Sequence, residues 1–446
     1  MQNAKAVELQ QLETFQQKYE GDALQKAMRH ALNKNAISAI ANVETAYPKN
    51  KFHFSIDIPT MKVANQQASG RCWLFAGLNV LREIVAKKCH MEQFELSQNY
   101  AAFYDKFEKI NYFLESVIDL KDRPTDDRTL NWVLKTGVQD GGQWDMLVSV
   151  IKKYGVVPQS AMDETYQSSH TRDMNGLINT KLRQYACKIQ KMYQEGKTDA
   201  EIHVAKDEML ETMYGFLCTC FGVPPKTFDF EYVDDKKNYH VEKNMTPRSF
   251  YEKYVGNVLD DYVSIINAPT KDKPFHEVFT VKYLGNVVGG TPIRYLNLEI
   301  NEFKQAVLAQ LKEGEIVWFG SDCGKFSNRE TGVWDDQAFD YETAFGMDFE
   351  MTKEEMLDYG HSAMNHAMVI TGVNLDNDAP TKWKIENSWG EGAGNKGYFL
   401  MSDSWFDRFV YQAVVNKKYL KDEWIQKLEG DPIELNPWDP MGSLAD

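Results

Sequence analysis

Cys72 stands in the sequence setting that a nucleophilic thiol requires. The loop at 66–71 contains serine and glycine, and an apolar stripe at helical spacing predicts a helix over residues 72–88. The first turn of a helix carries unpaired N–H groups and about half a positive charge, which together lower a thiol pKa. Those N–H groups, with the side-chain amide of Gln66, can also stabilise an oxyanion. A buried structural cysteine is the alternative for any lone thiol, but the glutamine, glycine and tryptophan around Cys72 favour the nucleophile.

His366 and Asn387 are predicted to complete that site. Both stand in runs rich in β-branched and aromatic residues, which predict two strands joined by a turn near residues 376–377. If the hairpin is symmetric about that turn, His366 falls directly opposite Asn387, and such partners share a face with Cβ atoms ~4.5–5.5 Å apart. The asparagine oxygen can then orient the imidazole as the base of the thiol. A bulge in either strand would shift this register.

A metal site is the alternative for the histidines, and their spacing does not favour it. His361 and His366 lie five residues apart, which suits neither one helix face nor the His-Glu-x-x-His pattern. The six cysteines include no Cys-x-x-Cys pair, so neither a zinc ribbon nor a dithiol motif is indicated. We therefore predict no metal and no cofactor.

The charge balance of the chain argues against two classes of partner. With 65 acidic and 50 basic residues the formal net charge is −15, which repels phosphate backbones and anionic lipid. No signal-peptide pattern stands at the N-terminus, and no run approaches the ~18–20 apolar residues of a membrane span. We expect no nucleic-acid partner, no membrane partner, and a cytoplasmic location in which the cysteines stay reduced.

The pattern of elements predicts an α+β fold in five segments. Helical periodicity dominates the first part of the chain, strands rich in Val, Ile, Phe and Tyr follow, and three prolines stand in the last seventeen residues. The predicted segments are an N-terminal helical extension (1–49), a helical lobe carrying Cys72 (50–164), a charged helical insertion (165–265), a β-rich lobe carrying His366 and Asn387 (266–425) and an extended C-terminal arm (426–446).

The combined motifs resemble the papain-like cysteine peptidases. The sequence reads Gln-x-x-Ser-Gly-Arg-Cys-Trp at 66–73, Asn-His-Ala-Met at 365–368 and Glu-Asn-Ser-Trp-Gly at 386–390. It is most similar to their cytoplasmic branch, the bleomycin hydrolases and bacterial aminopeptidases C. Asp-Gly-Gly-Gln-Trp at 140–144 looks like that branch's glycine pair in the substrate cleft. The resemblance covers most of residues 50–446 and implies a two-lobed papain-like fold with a large helical insertion.

The resemblance also implies a role for each matching residue. They are Cys72 as nucleophile, His366 as base, Asn387 as the group that orients the base, Gln66 as oxyanion donor, Gly141 and Gly142 as the close approach for a peptide backbone, Trp389 as a shield over the His–Asn bond, and the carboxylate of Asp446 as an anchor for a substrate's α-ammonium. The expected substrates are peptides with a free N-terminus, and bleomycin-like amides as well. The central insertion is expected to build a homohexamer.

Two features depart from the secreted relatives. Ser69 stands where their signature has a disulfide-forming cysteine, which is consistent with a reducing compartment. His366 follows Cys72 by 294 residues, against ~130–150 in those relatives. Three alternatives stay open: a catalytically silent scaffold, a Cys-His acyltransferase, and an ordinary endopeptidase.

Overall fold

A computed structural model describes residues 4–49 and 51–445. Helices form where apolar residues recur at helical spacing, and several begin at a capping residue, such as Ser97 before α5 and Thr198 before α10. The helices are α1 (Leu9–Gly21), α2 (Ala23–Leu32), α3 (Ile37–Ala41), α4 (Cys72–Cys89), α5 (Gln98–Asp119), α6 (Arg128–Thr136), α7 (Trp144–Tyr154), α8 (Tyr166–Ser169), α9 (Arg172–Gln194), α10 (Asp199–Phe221), α11 (Pro247–Phe250), α12 (Ile300–Lys312), α13 (Tyr341–Phe345), α14 (Lys353–Asp358), α15 (Asp403–Phe409) and α16 (Asp422–Glu429).

One large mixed sheet holds most of the strands. Its order is β14-β5-β6-β4-β13-β7-β10-β11-β12-β9-β8, with β1 paired to β10, and β2 and β3 form a separate hairpin. The strands are β1 (Ile56–Asp57), β2 (Phe228–Val233), β3 (Tyr239–Met245), β4 (Tyr262–Ile266), β5 (Val278–Val281), β6 (Tyr295–Asn297), β7 (Val317–Ser321), β8 (Ser327–Asn328), β9 (Val333–Trp334), β10 (His366–Asp376), β11 (Ala379–Glu386), β12 (Tyr398–Ser402), β13 (Val410–Asn416) and β14 (Ile433–Leu435).

Two apolar cores divide the molecule into two lobes. One core gathers α4, α5 and α7 around fully buried side chains such as Trp73 and Trp144. The other lies between the sheet and α12 and α15, around Trp383 and Phe406. The lobes meet where α4 packs on β7 and β10, and there the indole N–H of Trp318 donates to the backbone oxygen of Trp73 at 3.2 Å. This contact sets the start of α4 against the middle of the sheet.

The central segment 165–265 differs from the sequence interpretation. Its first half forms α9 and α10, as the periodicity predicts, but its second half forms the hairpin β2–β3 and strand β4 of the main sheet. The interpretation as a helical insertion is therefore wrong for β2, β3 and β4, whereas residues 247–260 between β3 and β4 form short helical turns. The missed signal is the alternation in β2, where Phe230 is buried and its neighbours Asp229 and Glu231 are exposed.

The C-terminal segment also departs from a simple extended arm. Residues 426–429 still belong to α16, and β14 then pairs in parallel with β5. Beyond β14 the described chain is irregular apart from a single 3-10 turn at Pro440–Gly442. No helix among residues 4–49 and 51–445 is long and apolar enough to cross a membrane.

Candidate active site

Cys72 is the first residue of α4 and is fully buried. The backbone N–H of Ala367 donates to its Sγ at 3.4 Å, so the thiol lies against the first residues of β10. The helix start supplies the N–H groups and the positive end of the helix dipole expected around a reactive thiol. The two lobes thus bring Cys72 beside the residue that follows His366.

His366 and Asn387 form the pair that the sequence predicts. His366 Nε2 lies 2.9 Å from Asn387 Oδ1, and both side chains are buried. The backbone N–H of Ser388 also donates to that Oδ1 at 2.7 Å, which identifies the atom as the amide oxygen. Because an amide oxygen only accepts, Nε2 carries the hydrogen and Nδ1 of the neutral imidazole is left as the basic nitrogen.

The pairing that was expected to produce this contact is wrong. In β10–β11, Val369 pairs with Glu386 and Asp376 pairs with Ala379, so the turn residues are Asn377 and Asp378. Asn387 follows the end of β11 and lies diagonally across from His366, two residues from the directly opposed position. Diagonal neighbours on one face remain within reach of long side chains, which explains why the contact survives the shifted register.

The surroundings of His366 disfavour its protonated form. Its pKa is lowered to about 4, chiefly by burial; the hydrogen bond to Asn387 opposes this shift, and the charge of Arg329 contributes to it. Trp389 stacks on the imidazole with ring centroids 4.9 Å apart, and the guanidinium of Arg329 lies 4.7 Å from the indole centroid. Trp389 therefore covers one face of His366.

The side chain of Gln66, six residues before Cys72, is held by hydrogen bonds at both ends of its amide. Its Nε2 donates to the backbone oxygen of Ser69 at 2.6 Å, and its Oε1 accepts from the hydroxyl of Ser388 at 2.5 Å. Since a carbonyl only accepts, the Ser69 contact fixes which amide atom is nitrogen. One amide hydrogen of Gln66 is used in this way, and the second is the one that an oxyanion could accept.

Gly141 and Gly142 form a close approach between the helical lobe and the C-terminal arm. The N–H of Gly142 donates to the backbone oxygen of Ala445 at 3.2 Å. A Cβ on Gly141 would lie 2.6 Å from that same oxygen, and a Cβ on Gly142 would collide with the indole of Trp73. Only glycine leaves room for a backbone at this surface.

The arm crosses from one lobe to the other beside the site. The hydroxyl of Ser443 donates to the backbone oxygen of Met364 at 2.7 Å, two residues before His366. The backbone oxygen of Ser443 accepts from Gln143 Nε2 of the helical lobe at 2.6 Å. Ala445 is fully buried there. The predicted anchor Asp446 lies outside the described residues.

The comparisons with known proteins agree on one family. A model described as the Peptidase C1-like family matches residues 6–442. The chain belongs to the Peptidase C1-like family. It is 51% identical over 396 residues to an aminopeptidase C of Lactobacillus delbrueckii subsp. lactis, with 88% of each chain covered. It is 42% identical over 392 residues to a bleomycin hydrolase of Homo sapiens, with 86% of each covered.

A solved structure of high similarity is that of PepW from Lactobacillus rhamnosis HN001. The TM-score is 0.97 at 49% sequence identity, with 100% of both chains covered. Together these findings confirm the resemblance, the mixed α and β fold class and the assignment to cysteine-type aminopeptidases.

The sequence interpretation of this peptidase missed several residues that build the site. Ser388 bonds both Asn387 and Gln66, and it stands inside a motif that was already singled out. Lys106 and Lys109 of α5 lie buried under the glycine pair. In the sequence they show only as part of a charged helix face, which does not indicate burial. Among residues 4–49 and 51–445, no cluster of three or more His, Cys, Asp or Glu is arranged to bind a metal.

Proposed function

We propose that the chain removes N-terminal residues from peptides by acyl transfer to Cys72. The observation that carries the proposal is the arm beside Cys72, His366 and Asn387, with its backbone on Gly142. The names of the relatives, aminopeptidase C and bleomycin hydrolase, support the same activity.

The proposed reaction moves one proton through His366. The thiol of Cys72 gives its proton to Nδ1, and the thiolate attacks the carbonyl carbon of the N-terminal residue. The N–H groups at the start of α4 and the amide of Gln66 stabilise the resulting oxyanion. His366 then protonates the leaving amine as the thioester forms. Water attacks the thioester, His366 takes its proton, and the thiolate leaves with the carboxylic acid released.

The position of the arm supports cleavage at the N-terminus. A longer substrate would have further residues on the N-terminal side of the residue that acylates Cys72. Their backbone would need the N–H donor of Gly142, which Ala445 already uses. Ser443 closes the same space by binding both lobes. We infer that a substrate has room for one residue with a free α-amino group between the arm and the thiol, and that a longer or blocked N-terminus would meet the arm.

A substrate pair tests this proposal. Aminoacyl amides should be hydrolysed, and the same compounds N-acetylated should not. Cleavage of both at equal rates would favour an endopeptidase, and transfer of the acyl group to an added amine in place of water would favour an acyltransferase. If an epoxide probe failed to label Cys72 and neither compound were hydrolysed, the result would favour a catalytically silent scaffold.

Removing the side-chain amide of Gln66 should slow the chemical step. Loss of one oxyanion donor costs roughly 10²–10³ in kcat in a comparable serine enzyme, so Gln66→Ala should lower kcat by about that factor. KM should change little, because the donor acts on the transition state. Gln93→Ala, which removes an exposed side-chain amide, is the control. A raised KM with preserved kcat would make Gln66 a substrate contact.

Asn387→Ala should reduce activity less than His366→Ala. The hydrogen bond that His366 donates to Asn387 raises the pKa of His366, so its loss makes the imidazolium that must form harder to reach. One hydrogen bond to a charged group is worth about 1.5–3 kcal/mol, which predicts a loss of about 10- to 150-fold in kcat/KM. His366→Ala removes the base itself. A larger loss in the asparagine variant, with both proteins folded, would reverse the assigned roles.

We also propose a homohexamer, in which the N-terminal helices contact a second copy. α1 and α2 bury none of their residues, and Leu9, Leu12 and Phe15 form an exposed apolar stripe on α1. Light scattering should give a mass near six times 51.4 kDa. Leu12→Glu with Phe15→Glu should release smaller species, and Gln17→Glu should not. A stable monomer of the unaltered chain would contradict the ring.

The location and the range of substrates are further parts of the proposal. Ser69 stands where the secreted relatives have a disulfide-forming cysteine, which supports a reducing compartment such as the cytoplasm. The 42% sequence identity to a human bleomycin hydrolase supports bleomycin-like amides as additional substrates. Cell fractionation and a bleomycin deamidation assay test the two points separately.

A further inference from the structure

Lys109 of α5 lies buried beneath the loop that carries the glycine pair. Its Nζ donates to the backbone oxygen of Gly141 at 2.7 Å, and the backbone oxygens of Gln139 and Asp140 are each 3.3 Å away. The side chain is only 6% exposed. Three successive carbonyl groups of the cleft loop therefore turn inward to one lysine.

The contacts of Lys109 require its charged form. Asp105 Oδ2 lies 2.7 Å from Nζ, so the four oxygen atoms that Nζ contacts are all acceptors. The indole of Trp73 presents its face 5.0 Å from the same nitrogen, as it would to a cation. Burial lowers the pKa of Lys109, and the carboxylate of Asp105 opposes that shift. An ammonium satisfies these acceptors, whereas a neutral amine would point a lone pair at one of them.

Lys106 braces the same loop from the next turn of α5. Its Nζ binds Asp140 Oδ1 at 2.7 Å and the backbone oxygen of Gln139 at 3.0 Å. The other oxygen of Asp140 accepts the N–H of Gly70 at 3.1 Å, two residues before Cys72. The loop is thus held from its carboxylate by Lys106 and from its carbonyl groups by Lys109.

The Gly141 carbonyl and the Gly142 N–H belong to one peptide group. Lys109 binds the oxygen of that group on the inside, and the N–H donates on the outside to Ala445 at 3.2 Å. A cation on the oxygen draws electron density from the nitrogen, so it strengthens the N–H as a donor. The hydrogen bond that Gly142 donates to an incoming backbone is therefore coupled, through one peptide group, to the hydrogen bond that Lys109 donates.

We propose that Lys109 is a positioning residue that orients and polarises this peptide group, so that Gly142 binds a backbone carbonyl. In the full chain that carbonyl belongs to Ala445, and with the arm absent it belongs to a peptide substrate. The effect of Lys109 on the arm is argued from the contacts alone, and its effect on a bound substrate rests on the proposed function. A lysine that only neutralised the loop would leave the arm unaffected when its charge was removed.

The test replaces the ion pair by uncharged side chains of similar size. Lys109→Met alone would leave Asp105 as a buried unpaired charge, so the variant is Asp105→Asn with Lys109→Met. The control is Glu115→Gln with Lys206→Met, which removes another ion pair of α5 that does not touch the loop. Hydrogen–deuterium exchange of the arm peptide 437–445 is measured in the full-length protein.

The exchange rate of the arm should rise about fivefold in the Asp105/Lys109 variant, the factor that one net hydrogen bond implies, and should stay unchanged in the control. Asp105→Asn with Lys109→Gln keeps an uncharged donor and should give an intermediate rate. If the methionine variant does not fold, the glutamine variant takes its place in the exchange experiment. Unchanged exchange in a variant that melts with the parent would overturn the proposal.

The effect of Lys109 on substrate binding is measured in the chain that lacks residues 443–446. There the Asp105/Lys109 variant should raise KM for an N-acetylated peptide about fivefold at constant kcat, because the contact is made equally in ground and transition states. A fall in kcat with KM preserved would contradict this effect on substrate binding. If the truncated parent cleaves nothing, the proposed function fails, while arm exchange still decides the role of Lys109.

Discussion

Replacing Cys72 by alanine is expected to abolish turnover while the protein stays folded. The thiolate is the attacking atom, and removal of the nucleophile in a serine peptidase costs about 10⁶ in kcat, so at least about 10⁴-fold should be lost here. The thiol is buried, but only a sulfur atom is removed, which costs on the order of 1 kcal/mol. Hydrolysis of an aminoacyl amide and the melting temperature are measured together.

Cys89 provides a matched control for this prediction. It is buried at the other end of α4, and burial raises its pKa, so Cys89→Ala should keep full activity. Iodoacetamide followed by peptide mass spectrometry should modify Cys72 faster than the exposed Cys187, and substrate should protect only Cys72. Cys323 should react slowly, because burial raises its pKa to about 12. Unchanged hydrolysis by purified Cys72→Ala would remove the nucleophile from the proposal.

The local parts of the site could be predicted from the sequence, because they depend on neighbouring residues. The loop at 66–71 and the apolar stripe after it are contiguous, and they place Cys72 at a helix start without reference to the rest of the fold. The contact of His366 with Asn387 was predicted correctly from a wrong register. Both residues approach the turn from strands of similar length, so an error of two positions still left them on one face.

The register itself depended on backbone angles that composition did not reveal. Asn377 and Asp378 both have positive φ, at 49° and 64°, which is the requirement of a type I′ hairpin turn. The sequence Asp-Asn-Asp at 376–378 offers two adjacent pairs that tolerate such angles, and only the pairing of the strands selects between them. Irregularities near Gly372 and Leu375 then shift the register in opposite directions.

The buried charges under the cleft could not be predicted at all. Asp105, Lys106 and Lys109 look like the solvated face of a helix, because charged residues are rarely buried unless they are paired. The two lysines donate to backbone carbonyl groups some thirty residues later, at 139–141, and a carbonyl group leaves no trace in residue type. Burial of this kind follows from tertiary packing, which one sequence does not specify.

The second large effect is expected from the C-terminal arm. Deleting residues 443–446 should let the enzyme cleave N-acetylated peptides and should lower its activity on aminoacyl amides. Three hydrogen bonds join the deleted part to the two lobes. Ser443 Oγ donates to the backbone oxygen of Met364, Gln143 Nε2 donates to the backbone oxygen of Ser443, and the N–H of Gly142 donates to that of Ala445. At about 1 kcal/mol each, displacing it costs an extended substrate about 3 kcal/mol, so cleavage of blocked peptides should rise by about 10²-fold.

The truncation should leave the rest of the arm in place, so that its effect is confined to the cleft. Lys273 binds Asp439 at 2.9 Å in a buried ion pair, and the guanidinium of Arg128 lies 3.6 Å from the ring centroid of Trp438. Both anchors precede residue 443, and the melting temperature should therefore change little. Leu444→Ala is the matched control, because it keeps the backbone of the arm on Gly142 and should keep blocked peptides out. If the truncated enzyme still required a free α-amino group, the exclusion of longer substrates would have to come from residues outside the arm.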